Sequence, residues 1–110
     1  MMRLLTRAEE LILLAVLKLG DGAYAIPILE NIEKTTRRKW TMGTVYIPLY
    51  RLTENGFLES RLANPTRERG GKKKRYYRLT EKGKEALRSL KQIESDMWAD
   101  VSGIALEPEQ

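Results

Sequence analysis

The chain is 110 residues long, 42% apolar and 32% charged, carries a net charge of +5 and has no cysteine or histidine. That length makes one domain with a modest core, for which self-association is a reasonable expectation. Disulfides, thiolate chemistry and the usual general base are excluded, and zinc would have carboxylates alone to hold it, so no metal, cofactor or enzymatic activity is expected. The longest apolar run, Leu11 to Leu17, stops at Lys18 and is too short to span a bilayer. No signal-peptide cleavage pattern follows it, so a cytoplasmic location without membrane contact is expected.

Thr6 and Glu9 have capping-box spacing and predict a first helix from Thr6 to about Leu19, with Gly20 as its stop. Its apolar residues, Leu11 and Leu14 among them, cover almost the whole circumference. A helix apolar all round must be covered all round, and so small a domain covers one side only. The other side is expected to meet a second subunit. A second helix is predicted over roughly Ala25 to Thr35, with Pro27 in its first turn, where a missing amide costs little. Arg37, Arg38 and Lys39 follow it.

A third helix, capped by Thr41 or a neighbour, should reach about Asn55. Val45, Leu49 and Leu52 are its inward positions, and Tyr46, Tyr50 and Thr53 mark another face. Pro48 lies well inside and should bend the helix or loosen its first turn. Asn55-Gly56 ends it. Phe57 to Ala63 alternates as a strand does, with Leu58 and Leu62 on one face. Asn64 to Lys73 reads as a loop containing Pro65 and Gly70-Gly71. Lys74 to Leu79 alternates again, with Tyr77 and Leu79 inward and Tyr76 and Arg78 outward. Thr80 caps a last helix that could continue to about Gly103, roughly 35 Å long. Leu87, Leu90, Met97, Val101 and Ile104 form a seam on it that would pair with another helix.

The charge is unevenly placed. Residues 61–78 hold eight Lys and Arg against a single acid, Glu68, a net +7, so the other 92 residues sum to −2 and the basicity is concentrated in this segment. An isolated charge run is usually a solvated face. Between strands, after a helix pair, it reads as the electrostatic footprint of a polyanion site. The expected fold is mainly α with a small antiparallel β-hairpin: a winged helix-turn-helix over residues 1–80, a C-terminal dimerisation helix over 81–106 and a disordered tail at 107–110. In a helix-turn-helix the second helix enters the major groove with its N-terminal residues at base edges. Thr41, Thr44, Tyr46, Tyr50 and Arg51 are the candidates. Arg37, Arg38 and Lys39 could clamp the backbone, and Lys72, Lys73, Lys74 and Arg75 would reach phosphates or a flanking minor groove from the hairpin tip. Tyr46 and Tyr50 could instead cover the core edge, and Arg51 could pair with Glu54.

Several stretches resemble the PadR family of winged-helix transcriptional regulators: Gly43-Thr44-Val45-Tyr46, Leu49 with Arg51-Leu52, Asn55-Gly56-Phe57-Leu58, and Arg75 through Gly83. Ala23-Tyr24 with Ile26 is a weaker match. The family's usual proline directly after the tyrosine is Ile47 here, with Pro48 next, and its usual glutamate after Arg-Leu is Thr53. The resemblance implies a homodimeric repressor that binds double-stranded DNA at a pseudo-palindromic operator. It also implies a short-tailed subgroup whose single C-terminal helix crosses onto the partner's first helix, with Leu11, Leu14, Leu87, Leu90, Met97 and Val101 as interface residues. In some such members a tryptophan on the last helix stacks on planar drugs in a pore of the dimer, and Trp98 occupies a comparable place. Trp98 either takes a small aromatic effector there or fills the interface. A winged-helix protein-interaction module using the same hairpin on an acidic partner is the alternative function.

Overall fold

A computed structural model describes residues 4–63, 74–101, 103–106 and 108 of the chain. The expected loop Asn64 to Lys73, and with it Lys72 and Lys73, lies outside the described residues, as does most of the 107–110 tail. Four helices and one hairpin follow in order: α1 (Arg7–Leu19), α2 (Ala25–Thr36), α3 (Met42–Glu54), β1 (Leu58–Ala63), β2 (Lys74–Leu79) and α4 (Glu81–Trp98). Short 3-10 turns occupy Gly20–Gly22 and Gly103–Leu106. Among the described residues, no helix is long and apolar enough to cross a membrane.

Three of the helices start on threonine caps. Thr6 Oγ1 accepts from the Glu9 amide at 3.1 Å, and Glu9 Oε1 returns the bond to the Thr6 amide at 2.8 Å. Thr41 and Thr80 accept from the amides of Thr44 and Gly83, each at 3.1 Å. Each cap satisfies an amide that the first helical turn leaves without a partner.

The core forms where the first three helices meet the base of the hairpin. Ile12, Leu13 and Val16 of α1 pack with Ile28 and Ile32 of α2, with Val45, Leu49 and Leu52 of α3, and with Leu58 and Tyr77 of the strands. Pro48 is buried, and α3 remains helical through it. The antiparallel register pairs Leu58 with Leu79, Ser60 with Tyr77 and Leu62 with Arg75, and these six share the face turned toward the helices. Leu62 is nevertheless half exposed. The sequence pattern put it inward with Leu58, but the core stops at the Ser60–Tyr77 pair. At the other edge of β2 the Tyr77 amide donates to the Ala23 carbonyl at 2.9 Å.

The helix-to-strand corner after α3 is bound tightly to the start of α4. Gly56 turns the chain with φ +83°, a left-handed conformation that side chains resist. Thr80 Oγ1 donates to the Gly56 carbonyl at 2.5 Å, the Thr80 amide to the Phe57 carbonyl at 3.2 Å, and Lys82 Nζ to the Asn55 carbonyl at 2.7 Å. Lys82 also lies 4.6 Å from the centre of the Phe57 ring. Gly83 is buried against this corner with no room for a side chain. A Cβ there would overlap the Phe57 carbonyl oxygen and lie 2.8 Å from Leu79 Cδ2.

α4 is shorter than its apolar spacing suggested. It stops at Trp98, five residues before Gly103, and tightens into Ala99 N–H···O Asp96 and Val101 N–H···O Trp98 turns at 3.3 and 3.0 Å. Asp100, Ser102 and Gly103 are poor helix formers and weaken the continuation that Val101 and Ile104 would have made. From Lys91 to Asp100 every residue is exposed.

Gly83→Ala is therefore expected to lower stability by about 1–3 kcal/mol, the usual cost of forcing a methyl into a packed site. Gly22→Ala, which would meet no atom within 4 Å, serves as the control. Equal melting temperatures for the two variants would contradict this account of the corner.

Candidate nucleic-acid interface

α2 ends on Arg37, which takes φ 58° and ψ 33° and donates its amide to the Glu33 carbonyl at 2.8 Å. It is the one non-glycine residue at positive φ among those described. Three residues on, the Trp40 amide donates to Glu33 Oε2 at 3.0 Å. Glu33 thus closes both ends of the turn that carries Arg37, Arg38 and Lys39, and all three stand exposed. Trp40 packs its ring against the core and anchors the turn before α3 begins.

α3 presents an outer stripe. Gly43, Tyr46, Ile47, Tyr50, Arg51 and Glu54 recur at three- and four-residue spacing and are all exposed. Tyr46 is 51% exposed and Tyr50 66%, so the phenols do not cover the core. Arg51 makes no ion pair with a described residue, Glu54 included. The Thr41 and Thr44 hydroxyls are 2.7 Å apart and bond to one another, so the pair has one hydroxyl proton left for a ligand. Ile47, 61% exposed, belongs to the same stripe although it was not among the sequence candidates. Its place between Tyr46 and Tyr50 at helical spacing was the available signal. An exposed aliphatic group there suits contact with a thymine methyl.

The hairpin splits its cations between two faces. Arg75 lies on the face of Ser60 and Tyr77, and its guanidinium donates to Ser60 Oγ at 3.0 Å. Lys74 lies on the opposite face, where Nζ donates to the Tyr24 hydroxyl at 3.0 Å and sits 4.1 Å from the ring centre. Tyr24 meets Tyr76 edge-on at 5.4 Å, and Arg61 lies 5.0 Å from the centre of the Tyr76 ring. Cation–ring contacts of this kind hold the outer face of the hairpin against the start of α2. Arg78 pairs with Glu59 on that same face.

Across the inner face, Tyr46, Tyr50, Thr53 and Glu54 of α3 and Ser60, Arg75 and Tyr77 of the hairpin line one open cleft of about 510 Å³. Burial pushes the Tyr77 phenol above its ordinary pKa, the nearby Arg75 charge opposes that rise, and Tyr46 adds to it. The structure therefore brings Tyr46, Tyr50 and Arg75 together. It places Arg37 to Lys39 at the start of the same helix and sends Lys74 elsewhere.

Residues 13–89 match the family model described as the transcriptional regulator PadR-like family. The chain belongs to that family. No curated protein is significantly similar in sequence. Among solved structures, a PadR-like transcription factor from Bacteroides fragilis is 30% identical with a TM-score of 0.70, the match covering 87% of each chain. A PadR-like transcriptional regulator from Bacillus cereus is 25% identical with a TM-score of 0.70 over 92% of each chain. A PadR family regulator from Clostridium difficile is 25% identical with a TM-score of 0.67, covering 93% of this chain and 100% of the other. PadR proteins regulate transcription on a winged-helix DNA-binding fold and are not enzymes, and this chain shares that fold.

An arginine in the left-handed conformation costs about 1–2 kcal/mol relative to its ordinary conformations. Arg37→Gly should recover part of this and raise stability by about 1 kcal/mol, the larger freedom of glycine in the unfolded chain offsetting the rest. Thermal unfolding checks it; a lower melting temperature would mean that the arginine is not strained.

Proposed function

We propose that the protein is a homodimeric repressor that acts in the cytoplasm on a pseudo-palindromic DNA operator. The observation that carries the reading is the shared cleft. Tyr46, Tyr50 and Glu54 of the exposed α3 stripe line the same opening as Arg75, so helix and hairpin address one ligand surface rather than two. Arg37, Arg38 and Lys39 extend that surface beyond the N-terminus of α3. Thr41, Thr44, Tyr46, Tyr50, Arg51 and Ile47 would meet base edges and phosphates in the major groove. Arg75, and Lys72 and Lys73 just before it in sequence, would hold the flanking backbone. Lys74 acts as a strut on Tyr24 and contributes through its field.

The dimer is supported by the other end of the molecule. Leu14 and Leu17 of α1 and Leu87 of α4 line an open, mainly apolar groove of about 460 Å³, rimmed by Lys84, Arg88 and Lys91. Leu17 at the groove is 54% exposed, and further along α4 and just past it Met97 is 73% exposed, with Ile93, Trp98 and Val101 exposed too. So many exposed large apolar side chains on α1, α4 and the segment after it, in a chain this small, favour an interaction surface there. The partner's α4 would lie in the groove, against Leu11, Leu14, Leu87 and Leu90, and bring its own Met97 and Val101. Trp98 would stand near the two-fold axis, where paired indoles can take a flat aromatic effector between them.

Two measurements test this reading. Binding to a duplex selected from random DNA should fall with salt at a log–log slope on the order of −7, if each subunit of the dimer neutralises about four phosphates. Light scattering on the same sample should give twice the chain mass. A slope near zero would sink the DNA-binding claim, and a monomeric mass at the binding concentration would sink the dimer. For the effector, planar aromatic cations should quench Trp98 fluorescence in a Trp40→Phe background. Silence across a broad panel would leave Trp98 as an interface residue.

A further inference from the structure

We propose that the cleft between α3 and the hairpin seats one backbone phosphodiester of duplex DNA, with Arg75 as its cation, the Tyr46 and Tyr50 hydroxyls as further donors, and Ser60 as the residue that aims Arg75. The proposal deepens the DNA-binding reading above and rests on it.

Arg75 stands apart from the other described arginines of the hairpin. Arg78 is neutralised by Glu59, and Arg61 lies over the Tyr76 ring. Among the described residues Arg75 meets neither a carboxylate nor a ring. Its one bond, from NH1 to Ser60 Oγ, uses a neutral acceptor and leaves the positive charge uncompensated. That bond also takes rotational freedom from a long side chain before any ligand arrives, so less entropy remains to be lost on binding. A guanidinium offers five N–H donors in a fixed fork, and one bond to serine leaves enough of them to grip a phosphate with two parallel bonds.

The opposite wall supplies neutral donors. The Tyr46 and Tyr50 phenols, both more than half exposed, make no hydrogen bond with a described residue, and both residues line the cleft. Among the described residues Glu54 is the single carboxylate lining it. It lies eight residues beyond Tyr46, roughly 12 Å further along the helix axis. The anion is therefore drawn to the Tyr46 end, nearest the start of α3, and kept from the Glu54 end. A free anion would gain little from one exposed guanidinium. A phosphodiester arrives already held by the rest of the α3 surface, so the same guanidinium acts on it at high local concentration.

The test uses the intact protein and its selected duplex, with single phosphates replaced one at a time by uncharged methylphosphonate. Wild-type protein should show one linkage per half-site whose neutralisation weakens binding about tenfold, the usual scale for a charge-assisted hydrogen bond. Arg75→Ala should bind the unmodified duplex about tenfold more weakly, be indifferent to that linkage, and have a salt slope shallower by about two for two seats. Arg75→Lys should retain the slope and lose several-fold in affinity. Ser60→Ala should blunt the response to that linkage, and Ser60→Thr should restore it; a merely structural serine would change stability and leave the linkage response intact. An Arg75→Ala protein that keeps the full slope and the same sensitive linkage overturns the seat and leaves the DNA-binding reading standing. Wild-type protein without salt-dependent duplex binding overturns both.

Discussion

The corner between α3 and β1, locked onto the first turn of α4, is the constraint on which the rest of the molecule depends. Three carbonyls in succession, those of Asn55, Gly56 and Phe57, accept from Lys82 and Thr80. They belong to a chain that has just left a helix and would otherwise need water or a ladder partner. Gly83 lets α4 come down onto the Phe57 carbonyl without an intervening side chain. Residues 55–57 and 80–83 are thus one joint, and the hairpin is the loop that it closes. The joint fixes the angle at which the hairpin leaves α3. That angle keeps Arg75 and Tyr46 on the two walls of one cleft.

A second, smaller device sets the other end of α3. Arg37 accepts an unfavourable backbone conformation, and Glu33 spends its carbonyl and its carboxylate on closing the turn. A glycine at position 37 would make the same turn at less conformational cost. The arginine places a cation next to the first turn of α3, where a phosphate attracted by the helix N-terminus would lie. Stability and charge placement therefore oppose one another at this residue.

Local signals in the sequence carried most of the fold. The three threonine caps are written in four-residue patterns and needed no tertiary knowledge, as was the Asn55-Gly56 stop. The pairing of the Asn55–Leu58 and Arg75–Gly83 motifs could not be inferred as a contact, because nothing local to either shows that Gly83 rests on Phe57. Alternation gave the faces of the strands but not how deep the core runs along them, and that is why Leu62 came out exposed. It also left the destination of Lys74 open: Tyr24, fifty residues earlier, determines it. The 3-4 spacing of α4 reported a seam and its register. It is blind to where hydrogen bonding stops, so Val101 and Ile104 suggested a longer helix than Trp98 permits. At the interface the basic residues are legible by counting, whereas Ile47 enters the sequence reading only as the residue in place of the family's usual proline, and its exposure is set by the packing of α3.

The joint also limits how the proposed dimer end and the DNA-facing end can communicate. α1 contributes Ile12, Leu13 and Val16 to the core and leaves Leu17 at the open groove, so it belongs to both ends at once. α4 is held at its first turn by bonds to Asn55, Gly56 and Phe57 and is exposed beyond Leu90. A partner or ligand that shifted the exposed half would therefore lever the held half, and the held half is bonded to the corner that aims the hairpin. The helix-turn-helix pair packs on α1 through close-packed aliphatic side chains, which transmit displacement but resist it strongly. Of the two routes, the one through Thr80 and Phe57 reaches the hairpin by direct hydrogen bonds, although Phe57 and Ala86 also belong to the core. A movement of α4 would thus change the spacing between the hairpin and α3 before it changed α3 itself, so the cleft holding Arg75 is where a signal from the far end would first be felt.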